Sequence, residues 1–240
     1  MYKRVLLKLS GEALSGNDTT FSSDLLRRLA LELKKVTQMG IQVAIVVGGG
    51  NIMRGKFASD IGLPRVEADK MGMLGTMINA LAVCGACEEN GLHAYMQSAV
   101  ECTRVCDIID YRKAVDVLEK GGIVVYGGGT GNPYFSTDTA SALRAAEIDC
   151  QAILMAKNGV DGVYNADPRK DPTATKYDKL TYDEMIDKEL NVMDLTAASM
   201  CKEHNIKTII FNMNEIENIS KVVSGEKIGT LVANSFENVI

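Results

Sequence analysis

No apolar run in this 240-residue chain approaches the roughly 20 residues that a bilayer crossing needs. No membrane span is therefore expected. The opening stretch, Met1-Tyr-Lys-Arg-Val-Leu-Leu-Lys8, is too poor in apolar residues for the core of a signal peptide, so the expected location is the cytoplasm. An excess of basic residues is also missing: 26 Lys and Arg stand against 31 Asp and Glu, a net charge of -5. That balance argues against a nucleic-acid-binding surface but allows local basic pockets, which points to small anionic metabolites as partners. Histidine is scarce, and neither His93 nor His204 sits in a pattern that calls for catalysis. No linker or internal repeat divides the chain, so one domain over residues 1–240 is expected, and a hydrophobic content of 46% suffices for its core.

Two familiar nucleotide signatures are incomplete. Gly50-Asn-Ile-Met-Arg-Gly-Lys-Phe57 follows the phosphate-loop pattern GxxxxGK until Phe57 takes the place of the Ser or Thr that would bind magnesium. Met53 and Asn132 occupy the last glycine position of GxGxxG in the two glycine-rich loops. Six cysteines include Cys84-x-x-Cys87 and Cys102-x-x-x-Cys106, a spacing like that of zinc ligands. The first pair falls at i, i+3 in an apolar helical run, however, so buried thiols are expected rather than a metal or disulfides.

What the chain does contain is centred on Val124-Val-Tyr-Gly-Gly-Gly-Thr-Gly-Asn-Pro-Tyr-Phe-Ser-Thr-Asp-Thr-Ala140. The β-branched run reads as a buried parallel strand, and the glycines free the backbone N–H groups that follow it. Ser136, Thr137 and Asp138 can cap the next helix, so amides and a helix N-terminus meet where a phosphate could bind. A plain strand–helix turn would use the same residues.

Val5–Leu9 is a strand interrupted by Lys8 and followed by Ser10 and Gly11. Either Lys8 is a solvated residue on an edge strand, or it carries an ammonium to where phosphates collect. A crossover helix from Ser22 to Gly40 and a second strand, Gln42–Val47, complete a βαβ unit that again ends in glycines, Gly48 to Gly50. A long helix from Arg65 to about Asn90 carries Asp69 near its start and small residues suited to close packing, within the subunit or between subunits. Lys157 to Pro172 is dense in turn formers. There Val163 and Tyr164 suggest a small hairpin in which Tyr164 could lie on a purine and Asn158 and Asp167 could contact base or ribose.

Lys8-Leu-Ser-Gly-Glu-Ala-Leu14, Gly48-Gly-Gly-Asn51 with Arg54-Gly55, Met71-Gly-Met73, Gly129-Thr-Gly-Asn-Pro-Tyr-Phe-Ser-Thr-Asp138, Val160-Asp-Gly-Val-Tyr-Asn-Ala-Asp-Pro168 and Val192-Met-Asp-Leu195 together resemble the bacterial uridylate kinase family, of the amino-acid-kinase fold. The resemblance spans almost the whole chain. It implies an α/β fold, a three-layer αβα sandwich around a mainly parallel sheet, and direct in-line transfer of the ATP γ-phosphate to UMP with Mg²⁺, in pyrimidine nucleotide synthesis. By the same resemblance Lys8, Leu9, Ser10, Gly11, Gly50, Arg54, Asn158, Tyr164 and Asp167 would form the ATP site. Gly49, Asp69 and the loop Thr130, Gly131, Asn132, Pro133, Tyr134, Phe135, Ser136 and Thr137 would hold UMP. Lys8 and Arg54 would serve the transfer, with Asp138 and Asp194 organising Lys8 or the magnesium. The family also implies a homohexamer, feedback inhibition by UTP and activation by GTP. Gly16-Asn-Asp-Thr-Thr-Phe-Ser-Ser-Asp24 departs from the Gly-x-Gly-Ile-Asp-like stretch that accompanies GTP control, and Gln151 stands where relatives carry an acid.

Overall fold

Along β1 (Arg4–Leu9) the side chains alternate between two buried layers. Val5, Leu7 and Leu9 join one hydrophobic cluster and Leu6 the other, so the strand is covered on both faces. The computed structural model describes residues 2–16, 19–53, 62–157, 159–190 and 192–236. Among these, nine strands form one sheet in the order β4-β3-β5-β2-β1-β6-β10-β11-β9. The strands are β2 (Gln42–Val47), β3 (Ala94–Ser98), β4 (Asp107–Ile108), β5 (Ile123–Gly127), β6 (Ala152–Lys157), β9 (Lys179–Thr181), β10 (Lys207–Asn212) and β11 (Thr230–Ala233). Every neighbouring pair is parallel except β10 and β11. β1 lies in the middle, paired with both β2 and β6, which removes the edge-strand alternative for Lys8.

One face of the sheet is covered by α1 (Ser23–Gln38), α2 (Arg65–Glu89) and α7 (Asn218–Val223). The other carries α3 (Tyr111–Glu119), α4 (Thr137–Glu147), α5 (Tyr182–Asp187) and α6 (Leu195–Glu203). This is the expected αβα sandwich. The helix after β1 starts where expected, with the Ser22 hydroxyl accepting from Leu25 N at 3.3 Å, and its Leu29, Leu33 and Val36 are buried. β4, β8 (Lys176–Tyr177) and β9 were not expected from the sequence; each is two or three residues long and shows too little alternation to be read. β7 (Val163–Tyr164) pairs antiparallel with β8, so the expected hairpin exists with a longer connection than its turns suggest.

The expectation about membrane spans needs one correction. α2 has 25 residues and a mean hydropathy of 1.3 over its most apolar window, long and apolar enough to cross a membrane by length and composition. Half of that window is buried against the rest of the protein, and Asn79 lies fully buried within it. The interspersed glycines and alanines hid its length from inspection.

Parallel strands place all their C-terminal ends along one rim of the sheet. β1, β2, β5 and β6 thus deliver Ser10, Gly48, Gly128 and Lys157 to the same side of the molecule.

Candidate functional site

Lys8 points from β1 into the α4 side of the sheet, where its Nζ lies 2.9 Å from Asp138 Oδ1. Both side chains are nearly buried, at 11% and 15% exposure. The start of α4 places Asp138: the Ser136 hydroxyl caps the helix, accepting from Asp138 N at 3.0 Å and Thr139 N at 3.1 Å. Lys157, at the end of neighbouring β6, brings a second ammonium. Burial pushes its pKa down, the Asp138 charge opposes that shift and the Lys8 charge adds to it. Lys8 is paired with Asp138 and Lys157 adds a second positive charge in their neighbourhood, so the cluster favours an anion. An incoming phosphate would supply it.

Beside this cluster the two glycine loops press together. Gly48 N donates to Leu9 O at 2.8 Å. A β-carbon on Gly11 would come within 2.9 Å of both Gly48 O and Gly50 N, so only glycine fits there. The Ser10 hydroxyl is buried and has no hydrogen-bond partner among the described residues, which leaves it available to a ligand.

A cavity of about 710 Å³ opens between the β2 loop, the start of α2 and the loop after β5. Gly49, Asp69, Thr130, Asn132, Phe135, Ser136 and Thr137 line it, all of them expected site residues. Gly50 lines it too, so the proposed donor and acceptor regions adjoin. The size suits a mononucleotide. Gly131, Pro133 and Tyr134 are not in the lining; they shape the loop. Tyr134 takes a left-handed backbone, φ 71°, and its N–H donates to Asp69 Oδ2 at 2.7 Å. Arg65 Nε donates to the same carboxylate at 2.8 Å, and its guanidinium lies 5.7 Å from the Tyr134 ring centre. Sequence reasoning noted Arg65 near a helix start but gave it no place in the site. Thr76, which also lines the cavity, and Lys157 were missed altogether, because a lone polar residue in an apolar run carries no motif.

The remaining expected residues are arranged differently. Asp194 makes no ion pair with Lys8 among the described residues. It caps α6, accepting from Ala197 N at 2.9 Å, and it accepts from the hydroxyls of Ser136 and, at 3.0 Å, Thr139. Burial alone would raise its pKa; those hydrogen bonds outweigh it and hold the carboxyl below its ordinary value. Of the two acids, Asp138 alone holds Lys8, while Asp194 ties α4 to α6. Tyr164 and Asp167 lie outside the cavity: Tyr164 donates its hydroxyl to Asp161 at 2.7 Å, and Asp167 accepts from Arg169 N at 3.1 Å. Arg54 and Asn158 lie outside the described residues. Gln151 sits at the opposite rim from Lys157, accepting from Lys3 N at the start of β1. All six cysteines are free thiols, and among the described residues no three acidic, Cys or His side chains gather where they could hold a metal ion.

Residues 3–212 match the model of the amino acid kinase family. A uridylate kinase from Pediococcus pentosaceus is 53% identical over 96% of both chains. A crystal structure of a UMP kinase from Bacillus anthracis superposes with a TM-score of 0.95 at 38% identity, covering 98% of this chain and 97% of its own. One from Ureaplasma parvum gives 0.92 at 36%, covering 97% and 99%. A mainly parallel sheet whose glycine loops meet a nucleotide-sized cavity, together with these matches, leaves one conclusion: the chain belongs to the amino acid kinase family and, within it, to the uridylate kinases.

Proposed function

We propose that the chain transfers the γ-phosphate of ATP to UMP, giving UDP and ADP, and that the rim of the sheet is where it does so. The observation that carries this reading is the Lys8–Asp138 pair, set where the glycine loops adjoin the cavity. UMP occupies the cavity, with Asp69 accepting from ribose hydroxyls, and with Gly49 and the loop Thr130–Thr137 holding phosphate and uracil. ATP lies over Leu9, Ser10, Gly11 and Gly50, completed by Arg54, Asn158, Tyr164 and Asp167. A phosphate monoester with a second pKa of about 6 already presents an ionised oxygen at neutral pH, so the attack needs no general base. Lys8 and Lys157 neutralise the charge on the group in transit, and the protein contributes position and electrostatics rather than a covalent intermediate.

The described residues build no carboxylate cage for a cation. Magnesium enters with ATP, carried by its phosphates. The chain works as one domain in the cytoplasm. It assembles with further copies, as a hexamer, through the exposed stripe Met71, Leu74, Ile78 and Leu81 on α2. UTP inhibits by taking the UMP cavity, and GTP is the expected activator, with the departure at Gly16–Asp24 bearing on its effect.

The test is ADP release from Mg–ATP against UMP, CMP, dUMP, carbamate and aspartate, with and without GTP. Turnover confined largely to UMP supports the reading. Turnover of a small carboxylate or carbamate instead would move the acceptor assignment to another branch of the fold.

A further inference from the structure

α2 carries two polar side chains, three residues apart, whose hydrogen bonds leave the helix for the substrate loops. Thr76 is 5% exposed; its hydroxyl accepts from Gly128 N at 2.8 Å and donates to Met73 O at 2.7 Å. Asn79 is completely buried. Its amide donates to Gly48 O at 2.6 Å and to Asn51 Oδ1 at 2.7 Å, while its own oxygen accepts from Asn51 Nδ2 at 3.1 Å. Buried polar groups are stabilising only when bonded, and apolar side chains of the same shape would fill these positions without that requirement. What the two residues hold is therefore their significance. Gly128, with φ 77°, begins the loop that runs into Thr130–Thr137. Gly48–Asn51 is the loop packed against Gly11, and Asn51 Nδ2 reaches on to Thr20 O at 3.0 Å.

We propose that Thr76 and Asn79 are positioning residues that key the acceptor loop and the phosphate loop to adjacent turns of one rigid helix. The placement of the two loops relative to each other, and with it the alignment of the attacking oxygen and the transferred group, is then fixed through α2. In-line transfer tolerates little error in that alignment, since a misplacement of about 1 Å costs on the order of 100-fold in rate. The inference rests on the kinase reading above.

Thr76→Val and Asn79→Leu keep the shapes and remove the hydrogen bonds. With Mg–ATP and UMP, kcat should fall on the order of 10- to 100-fold while both KM values stay within about threefold. Thr76→Ser should recover most of the loss. Unchanged kcat, or a loss that disappears on cooling in step with the folded fraction, would overturn the proposal. Should Asn79→Leu fail to fold, Asn51→Ala removes the Asn79–Asn51 bonds from the loop side while keeping the one to Gly48 O, and should show a smaller loss with the same split; wild-type kcat in both it and Thr76→Val also overturns the proposal. A wild-type enzyme that does not turn over UMP sinks the kinase reading itself, whereas active wild type with unaffected variants sinks only this inference.

Discussion

Lys8 Nζ and Asp138 Oδ1 stand 2.9 Å apart across the gap between the end of β1 and the first turn of α4. Removing either partner is not equivalent. Lys8→Met leaves Asp138 within the influence of the Lys157 charge, which offsets part of the loss. Asp138→Asn leaves two ammonium groups with no counter-charge, and breaking a buried pair in that way costs about 3–5 kcal/mol. Both variants should lose on the order of 10²- to 10³-fold in kcat. Asp138→Asn should also melt well below Lys8→Met, which paired kinetic and thermal unfolding measurements would reveal. Equal melting temperatures would mean that Lys157 does not share the carboxylate.

Lys157 leads to the opposite outcome for stability. Burial holds its pKa below the ordinary 10.5, so the folded protein binds fewer protons than the unfolded chain between those two values. Ligand-free stability therefore carries a penalty at neutral pH, and that penalty is relieved as pH rises through the folded-state value toward 10.5. Lys157→Met should raise the melting temperature near pH 7, remove that alkaline gain and abolish most turnover. A lowered melting temperature would contradict this account.

The layers of the fold were legible because each rests on a periodic signal. β2, β5 and β6 are apolar runs, β1 is one broken only by Lys8, and Ser22 and Ser136 announce the helices that follow β1 and β5. The cavity was legible where its lining is contiguous in sequence, from Thr130 to Thr137. Thr76, Asn79 and Lys157 were not, since each is a single polar residue in an apolar element and gains meaning only from what folding brings beside it. Gln151 shows the converse: it attracted notice as a missing acid, yet it lies at the far rim and serves the start of β1.

Asp194 predicts an acid-sensitive brace. Its carboxyl is held below the ordinary 3.8, so it contributes stability above that pH and loses it as pH falls through the depressed folded-state value. Asp194→Ala removes a helix cap, about 1 kcal/mol, together with the acceptor for Ser136 and Thr139. The variant should be less stable at pH 7, and its stability should fall less steeply than that of wild type below pH 4. Urea melts across pH would test both. Parallel acid profiles in the two proteins would remove Asp194 from the account.

Met71, Leu74, Ile78 and Leu81 recur at intervals of three and four on α2, and each is at least 40% exposed. That spacing forms one stripe along the helix, the pattern of a face that packs against another helix. A charge at Leu74 or Ile78 would be buried unpaired in such a contact, at a cost that a subunit interface cannot absorb. Leu74→Glu with Ile78→Glu should therefore reduce the proposed hexamer to smaller species in sedimentation while leaving circular dichroism unchanged. An undiminished assembly would place the subunit contact on another surface and leave the stripe as exposed apolar area of no structural consequence.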